Sequence, residues 1–258
     1  MKTELARQLT PEEEELAAKR EELARLEAQL ADQELLLASL KAELAAFEGL
    51  YLRRVGALYA ELDEWNARLA ELRAEQAGTP ETKAVAAEAR TQAEEAYAAA
   101  HGEAAKVQPF TTSPELKKLY REATKRVHPD TATDEADRAR RERLMKEVNA
   151  AYAAGDEDAL RRILDALDAS PDAVQGSGIG ADLIRVLRQL KQIRDRIAAI
   201  ELETVSLSET ELAMLKAKAD LAAAEGRDLL EEMAVSVQGR IIVVRQEFEK
   251  KSTIGTGR

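Results

Sequence analysis

The sequence predicts an all-α protein dominated by long helices and coiled coils. Apolar residues make up 45% of the 258-residue chain and aromatic residues only 3%, so the apolar content is chiefly Ala and Leu. Charged residues reach 34%, and Ala, Glu, Lys, Leu and Arg with a helical apolar repeat are typical of long helices. Only six Pro and twelve Gly occur. Because they cluster, long uninterrupted stretches are left for helix.

Composition also argues against several functional classes. Cys is absent, which excludes a disulfide framework and a thiolate zinc site. No run of about 18 apolar residues and no apolar N-terminal leader is present, so we expect a cytoplasmic protein without a membrane span. A net charge of −11 makes nucleic-acid binding unfavourable, since phosphate contact needs a basic surface. Without a nucleophile–base pair or a phosphate loop, we expect no enzyme, no metal and no cofactor.

Changes in composition divide the chain into five segments. The N-terminal and C-terminal arms carry heptad repeats, and a Gly/Ser linker precedes the C-terminal arm. The segments are an N-terminal coiled-coil helical hairpin (1–107), a central domain (108–170), the linker (171–180), a C-terminal antiparallel helical hairpin (181–251) and a tail (252–258).

The N-terminal arm begins with a long helix. Thr10 and Glu13 form a capping box, and Pro11 suits the first helical position. Apolar side chains then recur at alternating steps of three and four, the spacing of a coiled-coil seam. They are Leu16, Leu23, Leu26, Leu30, Leu37, Leu40, Leu44, Phe47, Tyr51, Val55, Leu58, Leu62, Trp65, Leu69 and Leu72. So long a seam needs a partner helix, from the same chain or from a second copy.

Two features interrupt this helix. Between Phe47 and Leu58 the apolar steps run four, four, three, a stutter that locally relaxes a supercoil. A Gly-Thr-Pro stop signal ends the helix near Ala77. Residues 81–107 then form an Ala-rich second helix, which we expect to fold back on the last third of the first.

The C-terminal arm repeats the heptad pattern. One helix carries the seam Leu183, Val186, Leu190, Ile193, Ile197 and Ile200. We expect a turn at Leu207 and Ser208, after which Ser208 and Glu211 form a capping box for the last helix. That helix bears an apolar stripe as far as Phe248, so the pair is predicted to form an antiparallel hairpin.

The central segment has a different pattern. Ser113 caps a helix with proline at its first position, and the apolar side chains share one face. Basic side chains lie mostly off that face: Lys117, Lys118, Arg121, Lys125 and Arg126. The helix ends before Pro129, because the residue before a proline is pushed out of helical backbone space. Asp134 caps a second helix, Gly155 stops it, and Asp156 caps a short third helix.

From about residue 113 to residue 168 this segment resembles the J-domain of the DnaJ co-chaperone family. One family pattern, two basic residues, a tyrosine, another basic residue and then His-Pro-Asp at the helix end, is matched by Lys117, Lys118, Tyr120, Arg121, His128, Pro129 and Asp130. The pattern of the next helix is matched by Lys146, Glu147, Val148, Asn149, Ala151 and Tyr152. The family's first helix has no counterpart before Ser113. We expect Val107 and Phe110, or the end of the Ala-rich helix, to supply its packing.

The resemblance implies docking on a DnaK-type (heat-shock protein 70) ATPase and stimulation of ATP hydrolysis. The implied contact residues are the basic set Lys117, Lys118, Arg121, Lys125 and Arg126 and the trigger His128, Pro129 and Asp130. A carboxylate on a rigid loop suits pairing with a partner arginine. Basic residues on an acidic protein orient the encounter. The coiled-coil arms would select an unknown client, a location or a homodimer.

Two other interpretations stay open. One is a structural coiled-coil scaffold or adaptor with a degenerate J-domain, favoured by the absent first helix and by Glu122, at a position often basic in the family. The other is a nucleic-acid-associated coiled coil that uses the basic patch Arg138, Arg140, Arg141 and Arg143. The co-chaperone hypothesis requires an accessible His-Pro-Asp loop. Burial of that tripeptide against the protein's own long helices would favour the scaffold.

Overall fold

The computed structural model describes residues 10–107, 109–132, 134–168 and 179–255, and these ranges contain helices and no β-strand. The all-α class is confirmed. The α-helices are α1 (Pro11–Tyr51), α2 (Ala57–Ala77), α3 (Pro80–His101), α4 (Pro114–Val127), α5 (Glu135–Ala153), α6 (Glu157–Asp168), α7 (Ile179–Ser208), α8 (Glu211–Ala224) and α9 (Leu229–Gly255). None of these helices is both long and apolar enough to cross a membrane.

The chain forms two compact units, and each unit combines separate stretches of sequence. Unit 1 contains Met1–Ala42 and Phe110–Ser208, and unit 2 contains Glu43–Pro109 and Glu209–Arg258. Residues 181–251, predicted as one hairpin, are therefore shared, with α7 in unit 1 and α8 and α9 in unit 2. Most of the predicted linker lies outside the described residues. The predicted tail begins inside α9, which continues to residue 255.

In unit 1 the partner of the N-terminal seam is α7. Leu30 and Leu37 of α1 pack against Ile193, Ile197 and Ile200. Nearer the N-terminus, a second cluster contains Leu16, Val186 and Leu190. Over this part, the partner of helix α1 is therefore a helix of the same chain and not one of a second copy.

Helices α4, α5 and α6 enclose the central core of unit 1. Its buried members are Leu35, Leu116, Leu119, Tyr120, Ala123, Val127, Met145, Val148, Ala151, Tyr152, Leu160 and Leu164. The predicted caps of these three helices are confirmed. The Oγ of Ser113 accepts the Leu116 N–H at 2.8 Å, and Asp134 and Asp156 each accept a main-chain N–H of their own helix at 2.8 Å. Gly155, at φ +69°, follows the end of α5.

Helix α1 supplies much of the packing expected from a preceding helix. Leu35 is buried in the core around α4–α6, and Phe110 packs at its edge with its ring centroid 5.6 Å from that of Tyr152. The hydroxyl of Ser39 lies 2.7 Å from that of Tyr152. The expectation was right for Phe110 and wrong for Val107, which lies in unit 2. The end of the Ala-rich helix does not join this core either.

In unit 2, α2 is flanked by α3 and α9. Ala70 and Ala74 pack against Ala86, and Arg90 bonds Glu64 and Glu71, so α3 folds back along α2 as predicted. On α9, Val237 and Ile241 pack against Leu62. Gly78, at φ +68°, caps α2 after Ala77, which confirms the predicted helix end.

The predicted stutter coincides with a π-helical segment, Leu52–Gly56. A π turn inserts a residue into the helical register, which rephases the apolar seam. Val55 is fully buried there, beside Phe47 and Leu230. Local sequence spacing therefore located a real change of helical geometry.

Two predictions about the C-terminal helices were wrong. Thr210, rather than Ser208, caps α8, and its hydroxyl accepts the Ala213 N–H at 3.3 Å. Ser208 still belongs to α7, where its hydroxyl donates back to a carbonyl of its own helix at 2.6 Å. The last helix is also broken, because Gly226 adopts φ +78° and Asp228 caps a new helix, α9.

Candidate functional site

Helix α4 separates an apolar face from a basic one. Its buried residues are Leu116, Leu119, Tyr120, Ala123, Thr124 and Val127. Of the predicted basic set, Lys118, Arg121, Lys125 and Arg126 are exposed and Lys117 is half-buried. The sequence pattern therefore assigned the faces of this helix correctly.

The His-Pro-Asp loop (His128–Asp130) follows α4 directly and forms one 3-10 turn with Thr131. The Nδ1 of His128 accepts the main-chain N–H of Asp130 at 3.2 Å, which caps this turn. Since Nδ1 is the acceptor, the proton of a neutral imidazole lies on Nε2. The side chain of His128 thus shapes the loop in which Asp130 is presented.

The other nitrogen of His128 is directed into the protein. His128 is 3% exposed, and its Nε2 donates to Oε1 of Glu34 on α1 at 3.1 Å. Arg196 of α7 donates from Nε to the same oxygen at 2.8 Å. Burial disfavours the charge on Glu34, but the hydrogen bonds from His128 and Arg196 outweigh it, so the pKa of Glu34 lies below its ordinary value.

Further contacts hold the end of the loop. Gln189 of α7 donates to the carbonyl of Thr131 at 3.3 Å. Arg141 of α5 donates to the hydroxyl of Thr131 at 2.7 Å and to the carbonyl of Arg126 at 3.0 Å. The loop is therefore held by side chains from α1, α5 and α7.

The tripeptide is only partly accessible. Pro129 is half-buried, and the side chain of Asp130 is 16% exposed. The nearest cationic nitrogen of Arg138 lies 3.9 Å from the Asp130 carboxylate, too far for a hydrogen bond. The requirement for accessibility is thus unmet by His128 and partly met by Pro129 and Asp130.

Acidic residues of α1 face part of the basic surface of α4. Arg121 contacts Asp32 with an N–O distance of 2.6 Å. Glu27 is half-buried, which raises its pKa, while the charges of Arg141 and Lys125 oppose that rise. Lys117 and Lys118, by contrast, have no ion-pair partner among the described residues. The intramolecular contacts therefore engage the loop-proximal end of α4 most closely.

Glu122 forms an ion pair within α4 itself. Its carboxylate pairs with Arg126 one helical turn later at 3.0 Å. An exposed pair of this kind contributes only a few tenths of a kcal/mol, about 0.3–0.5. It does, however, reduce the positive charge that the helix presents at this position.

The block on α5 that resembles the family has a structural role. The Tyr120 hydroxyl donates to Oδ1 of Asn149 at 2.7 Å. The rings of Tyr120 and Tyr152 lie 4.5 Å apart between centroids. These contacts fix α4 against α5 and so fix where the His-Pro-Asp loop emerges.

The predicted nucleic-acid patch is largely neutralised by its own helix. Arg140 and Arg141 pair with Asp137 at 3.0 and 2.8 Å, and Arg138 lies 3.5 Å from Glu142. Among the described residues, Arg143 alone of the four has no ion pair. Phosphate binding needs free positive charge, so this patch does not favour nucleic acid.

Sequence reasoning missed Glu34, Gln189 and Arg196. The apolar repeat gave no direct signal for Glu34, because between Leu30 and Leu37 the alternating steps fall on Gln33 and Glu34 lies one position further on. In the folded chain Glu34 is buried, and a buried carboxylate needs a partner. Nothing in the local sequence indicated that the partner was His128.

Comparisons with protein-family models, with curated proteins and with solved structures find no match to this chain. Within the described residues, no group of three or more His, Cys, Asp or Glu side chains is arranged to hold a metal ion. The site offers hydrogen bonds, ion pairs and a basic helix face.

Proposed function

We propose that this chain is a J-domain co-chaperone that docks on a DnaK-type chaperone in the cytoplasm and stimulates its ATPase. The observation that carries the proposal is the His-Pro-Asp turn at the end of α4, an amphipathic helix with an exposed basic face. The bond between Tyr120 and Asn149 supports it, since both residues belong to the blocks that resemble the family. The protein acts by binding, and the partner carries out the hydrolysis.

In this proposal the residues of α4 and those of the His-Pro-Asp loop have different roles. Lys117, Lys118, Lys125 and Arg126 orient the encounter with an acidic chaperone surface. Asp130 pairs with an arginine of the partner, and Pro129 restricts the loop dihedral angle. His128 is a positioning residue, because its ring caps the turn at Asp130 while remaining buried against Glu34. Arg121 becomes available to the partner when its pair with Asp32 opens.

Single-turnover ATP hydrolysis by a purified DnaK-type chaperone tests this function. The full-length chain should accelerate hydrolysis, and Asp130→Asn should abolish the acceleration. The matched change Asp158→Asn, at an exposed side chain of α6, should retain it. Unaltered thermal unfolding of both variants shows that their folds are kept. Absence of acceleration by the wild-type chain, or equal acceleration by Asp130→Asn, overturns the proposal.

The second candidate is a structural scaffold, and the burial of His128 favours it. The bonds from His128 and Arg196 to Glu34 make the loop part of the junction between α1, α4 and α7. A scaffold requires these bonds for stability and leaves the chaperone's hydrolysis rate unchanged. The same ATPase measurement therefore separates the two candidates.

We further propose that the arms select the client or pair two copies of the chain. Exposed apolar side chains on α9 support a role in association, since Val235, Ile242 and Val243 are 56–64% exposed. Light scattering of the intact chain over a range of concentrations tests pairing. A mass that stays at one chain, 28.4 kDa, at every concentration overturns the homodimer.

A further inference from the structure

A groove of about 850 Å³ runs between α5 and α6, away from the His-Pro-Asp loop. Its floor contains Leu144, Ile163 and Leu167, which pack at the edge of the central core and are only partly buried. Small side chains, Ala150 and Ala166, lie among them. The core is thus left open along this side, with apolar surface that a second helix can cover.

The rim of this groove is basic in an otherwise acidic protein. Arg143 and Arg162 line it, and Glu147 is the acidic residue among the lining side chains. Arg162 is 70% exposed and lies 3.9 Å from Asp156, beyond hydrogen-bonding distance. Arg143 has no ion pair among the described residues. Both guanidinium groups are therefore available to an acidic ligand, although the whole chain carries a net charge of −11.

We propose that the groove between α5 and α6 binds an acidic amphipathic helix of a partner protein. Apolar anchors at positions i, i+3 and i+7 would cover Leu144, Ile163 and Leu167, as in other helix-in-groove complexes. The small side chains of Ala150 and Ala166 let the incoming backbone approach closely. Carboxylates flanking the anchors would pair with Arg143 and Arg162.

The length of the groove suits a short helix of the partner. The lining residues of α5 extend from Arg140 to Ala151. At 1.5 Å per residue this corresponds to about 17 Å, or roughly three turns of an opposing helix. Three turns carry three anchors on one face, the number that the three large aliphatic side chains of the floor can receive.

The lining favours a peptide over nucleic acid. Single-stranded nucleic acids bind through basic tracks and stacking on aromatic side chains, and no aromatic residue lines the groove. A floor of Leu and Ile offers nothing to a phosphate backbone, whereas it suits the apolar face of a helix. The proposed surface is also separate from the residues proposed to stimulate the chaperone, since it contains no residue of α4 or of the His-Pro-Asp loop.

Fluorescence anisotropy with the full-length chain tests this surface. The probe is a labelled three-turn peptide with Leu at i, i+3 and i+7 and Glu at flanking positions, and its control is a scrambled peptide of the same composition. We expect saturable binding of the amphipathic peptide, and at least tenfold weaker binding when Arg143→Glu and Arg162→Glu are combined. Arg188→Glu, an exposed residue of α7 outside the groove, is the matched control and should bind normally.

A second variant keeps the test decisive if the double charge reversal disturbs folding. Ala166 is exposed, so Ala166→Trp should fold, fill the groove and weaken binding at least tenfold without altering the charge. Equal binding of the scrambled peptide would reduce the effect to nonspecific charge attraction and overturn the proposal. So would unchanged binding by Ala166→Trp, or displacement of the peptide by a DNA oligonucleotide with the same sensitivity to the arginine variants.

Discussion

His128 Nε2 lies 3.1 Å from Glu34 Oε1, although 94 residues separate them in the chain. The same carboxylate oxygen accepts from Arg196, so a buried anion on α1 is compensated from two directions. A buried charge is tolerated only when paired and hydrogen-bonded in this way. Glu34 therefore ties the His-Pro-Asp loop to α1 and α7.

Glu34→Gln should destabilise the protein by about 1.5–3 kcal/mol, the usual contribution of a hydrogen bond to a charged group. The amide keeps the size of the side chain but no longer compensates Arg196. Urea unfolding followed by circular dichroism measures the change. Glu142→Gln, an exposed substitution on α5, is the control and should alter stability by less than about 0.5 kcal/mol. Equal effects of the two substitutions would contradict a structural role for the Glu34 bonds.

The contribution of Glu34 should also depend on pH. Its pKa is lowered in the folded protein, so its stabilisation is fully present above the ordinary value of 4.5 and is lost as the pH falls through the folded pKa. The difference in unfolding free energy between wild type and Glu34→Gln should therefore be constant near neutral pH. It should shrink progressively below 4.5. A difference that grows on acidification would show that the sign of the shift is wrong.

Structural features that depend only on residues close together in the sequence, such as helix caps, were predictable. Ser113, Asp134 and Asp156 cap their helices as expected, because a capping side chain bonds an N–H only two or three residues away. The apolar spacing likewise located the π-helical segment, Leu52–Gly56. The cap at Thr210 was missed in favour of Ser208, because serine and threonine are both capping residues and lie only two positions apart here.

Contacts between distant segments could not be predicted. The heptad pattern did not mark Glu34 as a buried position, and its partner depends on how α1 packs against α4 and α7. The same holds for Leu35, which completes the central core from a helix assigned to another segment. The candidate loop was therefore found from its motif, while its burial became apparent only in the folded chain.

Tyr120→Phe should cost about 1 kcal/mol, the typical net contribution of a buried hydrogen bond. The hydroxyl donates to Asn149 at 2.7 Å, and burial raises the pKa of Tyr120 so that it stays protonated. Thermal or urea unfolding measures the loss. Tyr97→Phe is the matched control, because Tyr97 is 62% exposed and its hydroxyl has no partner among the described residues. If both variants unfold at the wild-type midpoint, the Tyr120 bond does not stabilise the α4–α5 contact.

Replacing either of two glycines in helix interiors by alanine should change the stability of the protein, but in opposite directions. A Cβ on Gly49 would lie 2.8 Å from the carbonyl oxygen of Ala104 and 2.9 Å from that of Val107. Arg53 donates to this same stretch, at 2.7 Å to the Val107 carbonyl, so the backbone there has little room to retreat. Gly49→Ala should therefore destabilise unit 2 by about 1–3 kcal/mol, as overpacking usually does.

Gly239 in α9 has the opposite surroundings, with nothing within 4 Å of an added Cβ. Gly239→Ala should stabilise the protein by about 0.5–1 kcal/mol, because alanine restricts the unfolded chain and favours helix. Urea unfolding of the two variants, measured side by side, checks both signs. Stabilisation by both substitutions would mean that the close approach at Gly49 is absent in solution. Destabilisation by both would mean that the exposed face of α9 is covered, as in a pair of chains.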